Sequence, residues 1–212
     1  MSPPDLPDNL TDATDEQLLA GYQAGSDEAL ETLISRYDRE LVFFLTRFVK
    51  DRATAEDVFQ ETFIQVHLSA DTFDPSRKFR PWLFTIAANK ARDQIRKNNR
   101  RQATSMSTLL DKSAEDGASL IDLLDADLPK PEDLAEAEET RERVRQAVSE
   151  LPEHLREVLL LAYFHQFAYK EIAEMLSVPL GTVKSRLHAA VGTFADLWKS
   201  RSNERTDGPD PA

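Results

Sequence analysis

The stretch YKEIAEMLSVPLGTVKSRLHAAV, residues 169–191, decides the fold. Ile172, Ala173 and Leu176 recur at helical spacing and give a short helix one apolar face. Ala173 is small where a second helix must cross closely. Ser177-Val178-Pro179-Leu180-Gly181 is too short for anything but a tight turn. Thr182 is placed to cap a second helix, whose apolar side is Val183, Leu187, Ala190 and Val191. This is the spacing of a helix-turn-helix, in which the second helix enters the DNA major groove N-terminus first. Lys184, Ser185, Arg186 and His188 are the positions exposed near its start, and each can donate a hydrogen bond. The helix N-terminus itself favours a phosphate. The alternative reading of the same residues is a plain helical hairpin with solvated Lys and Arg.

Working outward, the rest of the chain is also helical in period. Pro152 opens a helix carrying Leu155, Val158, Leu159 and Tyr163, and Val144, Ala147, Val148 and Leu151 face one way on the helix before it. Near the N-terminus, Thr14 with Gln17 fits a capping box. Leu30, Ile34, Tyr37, Leu41, Phe44 and Phe48 form one stripe on a long second helix, which Lys50-Asp51-Arg52 breaks. A third helix over about 54–69 carries Val58, Phe59, Thr62, Phe63 and Val66. A fourth, with Pro81 in its first turn, runs to about Lys97. No alternating strand pattern is found. The expected fold is all-α, with an N-terminal helical module over 10–100, an acidic flexible linker over 101–135, a C-terminal module over 136–200 containing the helix-turn-helix, and a polar tail over 201–212.

Composition narrows the function. The chain has 212 residues, 41% hydrophobic and 30% charged, enough for a packed core. It has no cysteine, which excludes disulfides, thiol catalysis and cysteine–zinc sites. The four histidines lie on different predicted helices without ligand spacing, and there is no Gly-rich phosphate loop. An enzyme, a cofactor and a bound metal are therefore not expected. No apolar run reaches the roughly 20 residues of a membrane span, and the acidic, proline-rich start is unlike a signal peptide. A cytoplasmic protein with no membrane insertion is expected.

The net charge of −12 argues against nucleic acid only as an average. Residues 1–35 carry eight acids and no Lys or Arg, whereas 76–101 carry nine bases and one acid. Local field governs what binds where. Within FDPSRKFRPWLFTIAANKARDQIRK, 73–97, the aromatics Phe73, Phe79, Trp82 and Phe84 interleave with Arg77, Lys78, Arg80, Lys90, Arg92 and Arg96. Aromatic faces stack on unpaired bases at about 1–3 kcal/mol each while cations track phosphates, so the block suits single-stranded DNA better than duplex. Phe84 and Ile86 read as core. Trp82 reads equally as core or as a stacking platform, and Phe79 and Arg80 as functional loop residues.

These motifs together resemble the bacterial extracytoplasmic-function (ECF) sigma factors. AEDVFQETFIQVH (55–67) is similar to the family's core-polymerase-binding helix, and FRPWLFTIAANKARDQIRK (79–97) to its segment that melts and reads the minus-ten element. Residues 151–190, with GTVKSRLH, are similar to its DNA-binding module for the minus-thirty-five element. The resemblance covers about residues 15–198. It departs from the pattern at Ser177, where the family usually has Gly, at Ala88, where a basic residue is common, and at Ala189-Ala190-Val191, which lacks a frequent arginine.

The resemblance implies an alternative sigma factor that binds core RNA polymerase, directs it to promoters and helps open the DNA. Asp57, Gln60, Glu61 and Phe63, on the exposed side of the third helix, would meet the polymerase clamp; the bland reading is an acidic surface with Phe63 in the core. A pocket formed by loop 74–80, with Arg77, Lys78, Phe79 and Arg80, would take a flipped base beside Trp82. Asn89, Arg92 and Arg96 would contact the strand. Thr182, Lys184, Ser185, Arg186 and His188 would read the minus-thirty-five duplex. Burial of these faces against an anti-sigma factor, or against each other, is a further expectation. A duplex-binding regulator acting without polymerase is the alternative, but it leaves the basic block and the third helix without a role.

The two promoter elements lie about 20 base pairs apart, roughly 70 Å. A flexible 35-residue linker averages about 30–35 Å and extends to about 115 Å, so something must hold it out. Residues 102–142 carry three bases and twelve acids. The linker is expected to thread a basic polymerase channel, mimicking RNA.

Overall fold

The computed structural model describes residue 7, residues 9–105 and residues 131–204, with side-chain detail over 9–100 and 140–200. The chain divides into two compact units, one within 1–123 and one within 124–212. The expectations for the linker core and for the end of the tail lie outside the described residues. Among those described there is no strand.

The first unit holds α1 (Asp15–Gln23), α2 (Asp27–Val49), α3 (Arg52–Ser69) and α4 (Phe79–Ser105). The Thr14–Gln17 capping box opens α1 as the sequence suggests, with Gln17 N–H donating to the Thr14 hydroxyl at 3.2 Å and Thr14 N–H to Gln17 Oε1 at 2.8 Å. Lys50, at φ 67°, ends α2 in a left-handed residue, and Asp51 caps α3 by accepting the Thr54 N–H at 2.7 Å. This pair of signals folds α3 back against α2, and α4 packs on both.

The core is aromatic. Phe44, Phe48, Phe79 and Phe84 are fully buried with Leu33, Leu41, Leu45 and Leu83. Phe44 lies 5.4 Å from Phe84 and 5.6 Å from Phe48 between ring centroids, separations at which aromatic pairs attract beyond simple burial. At the start of α2 the buried residues are Ala29 and Leu33. Leu30 and Ile34, expected in the stripe, are half-buried. Over 23 residues a step of 3.6 drifts past any fixed three-or-four series, and the small Ala29 admits a closer neighbour than Leu30 would.

Helix α4 continues to Ser105, past the expected end near Lys97 and into the expected linker. The intervening KNNRRQA holds no Gly or Pro to stop it.

The second unit holds α5 (Pro131–Glu150), α6 (Glu153–Leu159) widening into a π-helical turn at Leu160–Phe164, α7 (Tyr169–Met175) and α8 (Leu180–Glu204). Its core is Val148, Leu151, Val158, Leu160, Leu161, Ile172, Met175, Val183, Leu187 and Ala190. Arg156 is buried, and its Nη1 donates to the carbonyls of Ser149 at 3.1 Å and Leu151 at 3.0 Å, tying off the end of α5. Burial lowers the pKa of this guanidinium. Tyr163, expected on the apolar face, is 58% exposed, because the π turn shifts its direction relative to Leu159. Arg143 sits 4.4 Å over the ring of Trp198, which stacks on Phe194.

Candidate nucleic-acid interface

In the second unit, α7 stops by a Schellman motif. Val178 N–H donates to the Ala173 carbonyl at 3.0 Å and Ser177 N–H to that of Glu174 at 3.1 Å, with Ser177 left-handed at φ 52°. Pro179 immediately precedes α8, its carbonyl accepting from Thr182 N–H at 2.9 Å and from Val183 N–H at 3.2 Å. Thr182 therefore does not cap the helix, as the sequence suggested. It lies within the first turn, because Pro179 presets φ and needs no N–H there.

Val183, Leu187 and Ala190 are buried against α7 and α6. That fixes the rotation of α8 and leaves Lys184, Ser185 and His188 exposed, with Arg186 and Thr182 half-buried beside them. The Ser185 hydroxyl donates to the Thr182 carbonyl at 3.0 Å, which commits its proton and leaves its oxygen able to accept. Val191, expected on the apolar side, is 45% exposed.

In the first unit, the loop between α3 and α4 leaves the turn Ala70–Thr72 through buried Phe73. Asp74 accepts from the Ser76 N–H at 2.9 Å and the Ser76 hydroxyl at 2.7 Å, and Arg77 N–H closes the turn on the Asp74 carbonyl at 3.0 Å. The Ser76 hydrogen bonds hold the Asp74 carboxyl below the usual carboxylate range. Arg77 and Lys78 project to solvent from this ordered turn.

Phe79 does not lie in the loop. It is the first residue of α4 and is fully buried, 5.7 Å from the Tyr37 ring and 6.4 Å from Phe73, so it supports the site and cannot touch a base. Trp82 is half-buried, 4.9 Å from Phe73 and 5.8 Å from Phe79, with part of its surface open. Burial, followed by its hydrogen bond to Asp15, raises the Tyr37 phenol pKa. Arg80 is half-buried rather than a loop cation. It forms an ion pair with Glu40 on α2, and its guanidinium lies 5.3 Å from the Phe84 ring centroid.

Further along α4, Arg92 donates to the exposed Asn89, and Arg96 lies 3.5 Å from Asp93. Asn89, Arg92 and Arg96 share one face. Solvent-exposed pairs of this kind are worth about 0–1 kcal/mol, so a phosphate competes with them readily. Ile86, read as core, is half-buried.

On α3, Asp57, Gln60 and Glu61 are exposed. Phe63 is not. It is 6% exposed, 5.1 Å from Phe59, and belongs to the core with Val58, Thr62 and Val66, because the stripe that faces α2 and α4 passes through 58, 62 and 66. The sequence reading missed Ile64, 59% exposed, and Leu68, 69% exposed, which continue the Asp57–Glu61 face by helical spacing. Their signal was available: both are large apolar residues off the stripe that buries α3. Among the described residues no cluster could hold a metal ion, and no helix is long and apolar enough to cross a membrane.

Comparison with known proteins gives this geometry its context. The family model for sigma-70 region 2 matches residues 33–101, and that for sigma-70, region 4 matches 141–193. The RNA polymerase sigma-H factor of Pseudomonas aeruginosa is 33% identical over 181 residues, 85% of this chain and 92% of that protein. The ECF RNA polymerase sigma factor SigW of Bacillus subtilis is 31% identical over 164 residues, 77% of this chain and 86% of its own. The ECF sigma-E factor of Escherichia coli K12 is 32% identical over 178 residues, 84% of this chain and 90% of its own. Among solved structures, CnrH in complex with the cytosolic domain of CnrY superposes with a TM-score of 0.62 at 24% identity, over 89% of this chain and 99% of that one. The chain belongs to the ECF family of RNA polymerase sigma factors, transcription initiation factors that bind core polymerase and promoter DNA.

Proposed function

We propose that the two units divide promoter recognition between them. The C-terminal unit reads the minus-thirty-five duplex with Lys184, Ser185, Arg186 and His188 in the major groove, Thr182 lying against the backbone. The N-terminal unit takes the melted minus-ten strand across Arg77, Lys78 and the open part of Trp82, and along Asn89, Arg92 and Arg96. Phe79 and Arg80 hold that surface in place from beneath. Asp57, Gln60 and Glu61, with Ile64 and Leu68, dock on core polymerase. The protein works in the cytoplasm as a binding factor without catalysis of its own.

The observation that carries this reading is the rotation of α8. Burial of Val183, Leu187 and Ala190 leaves Lys184, Ser185 and His188 facing out from the first two turns of a helix that follows a short, closed turn. Control by an anti-sigma factor is part of the proposal. Its support is that CnrH was solved with CnrY, and RpoE of Bartonella quintana, at a TM-score of 0.62 and 23% identity, with the anti-sigma factor NepR.

The test is run-off transcription from the DNA upstream of this gene, with core polymerase, in the presence and absence of the protein. A start site that appears only with the protein is the expected result, abolished by Arg186→Ala and reduced by Trp82→Ala. Tight, specific binding of promoter duplex without polymerase, and no transcript, would instead mark a duplex-binding regulator.

A further inference from the structure

Both ends of the loop at residues 73–78 are held by one short helix, α1. At the upstream end, the Gln23 side-chain amide donates to the Ala70 carbonyl at 2.7 Å. At the downstream end, Glu16 Oε1 accepts the backbone N–H of Phe79 at 3.0 Å. That N–H is one of the four that a helix leaves unpaired at its start, so α4 takes a cap from a residue 63 positions earlier in the chain. A carboxylate there also favours the positive end of the helix dipole.

Glu16 and Gln23 are seven residues apart, on one face of α1 and about 10 Å apart along its axis. α1 is itself fixed. Its Asp15 carboxylate takes the Arg36 guanidinium at 2.5 Å and also accepts from the Tyr37 phenol, while Tyr22 meets His67 of α3. The helix therefore has polar ties to α2, to α3, to the turn before the loop and to the first residue after it.

We infer that α1 is a splint for the strand-reading loop, with Glu16 and Gln23 as positioning residues for capture of the minus-ten strand. This rests on the reading of that loop given above. The Asx turn at Asp74 orders the middle of the loop but fixes neither end. α1 sets the separation and direction of the two anchors, so the loop meets the strand already shaped and less ordering is left to binding.

The experiment uses the full chain in holoenzyme with core polymerase. The variants are Glu16→Ala, Glu16→Gln, Gln23→Ala, the double Glu16→Ala/Gln23→Ala, and a loop variant Arg77→Ala/Lys78→Ala. Three quantities are measured: affinity for core polymerase, affinity of the holoenzyme for a labelled single-stranded oligonucleotide carrying the minus-ten sequence, and the melting temperature of the free chain. Glu16→Ala is expected to weaken oligonucleotide binding about fivefold, the size of one lost helix cap, and the double variant about tenfold or more. Glu16→Gln, whose amide oxygen still accepts the Phe79 N–H, should stay within about twofold of the original chain. Core affinity should hold within about twofold in every variant.

Two results overturn the inference alone: normal oligonucleotide binding by the double variant while the loop variant is impaired, or core affinity falling in step with oligonucleotide binding, which would mark general loss of the unit. If the loop variant itself binds like the original chain, the strand-reading assignment fails and the splint fails with it.

Discussion

Replacing Ser177 by glycine should stabilise the C-terminal unit. Ser177 ends α7 at φ 52°, in the left-handed region. A residue with a Cβ is disfavoured there by roughly 1–2 kcal/mol, a penalty glycine escapes. Glycine also gives the unfolded chain more freedom, which offsets about 0.4–1 kcal/mol of the gain. The difference leaves about 0.5–1 kcal/mol in favour of glycine. The two Schellman hydrogen bonds at this turn run between backbone atoms and survive the change. Hydrogen exchange read peptide by peptide on the full chain suits the question, because it reports each unit separately. Peptides from α7 and α8 should exchange about two- to fivefold more slowly in the glycine variant, and those from α2 to α4 unchanged. Ser177→Val, which puts a β-branched side chain at the same φ, should exchange faster than the original. A glycine variant that exchanges at or above the original rate would refute the assignment of strain to this residue.

Three further outcomes are expected. Phe63→Ala should destabilise the first unit by roughly 3–5 kcal/mol, whereas Glu61→Arg should leave stability within about 0.5 kcal/mol and weaken core-polymerase binding instead; denaturant unfolding and a polymerase-binding titration separate the two. Lys184→Ala should weaken minus-thirty-five duplex binding about equally for matched and mismatched sites and reduce the slope of log affinity against log salt by about 1, measured by titration at several salt concentrations. Asp51→Ala should cost about 1 kcal/mol at pH 7 as a lost cap. Hydrogen bonds from Thr54, its side chain foremost, hold the Asp51 carboxyl below the usual range. Its contribution is therefore full above the unfolded value near 4 and is lost as pH falls through the lower folded value. Denaturant midpoints should show the gap between variant and original constant at pH 5 to 7 and narrowing at pH 3.

What the sequence made legible was local. The capping box at Thr14 and the break at Lys50–Asp51 rest on residues a few positions apart, and both are where the sequence suggested, whereas the turn expected over 177–181 ends at Pro179, since Leu180 and Gly181 already belong to α8. The apolar spacing in 169–191 identified the helix pair, although it placed the start of α8 too late, because Pro179 rather than Thr182 immediately precedes it. Phe79 illustrates the opposite case. Its neighbours Lys78 and Arg80 look like a basic loop, and only the packing of Tyr37 and Phe73, more than forty positions away in one case, turns it inward. Phe63 was misread because it was grouped with Asp57, Gln60 and Glu61, which do face outward, although it lies two positions past Glu61 on the buried side of the helix. The bond between Glu16 and Phe79 leaves no trace in any periodicity, since its two ends share neither an element nor a motif.

The two tryptophans are divided between the units. Trp82 leans on Phe73 and Phe79 with part of its indole uncovered, while Trp198 stacks on Phe194 and meets the Arg143 guanidinium. Each unit thus carries one indole in a distinct setting. A base arriving on Trp82 would quench its emission by stacking. With Trp198→Phe as the background, strand separation at a promoter could be followed in real time, without attaching any dye to protein or DNA.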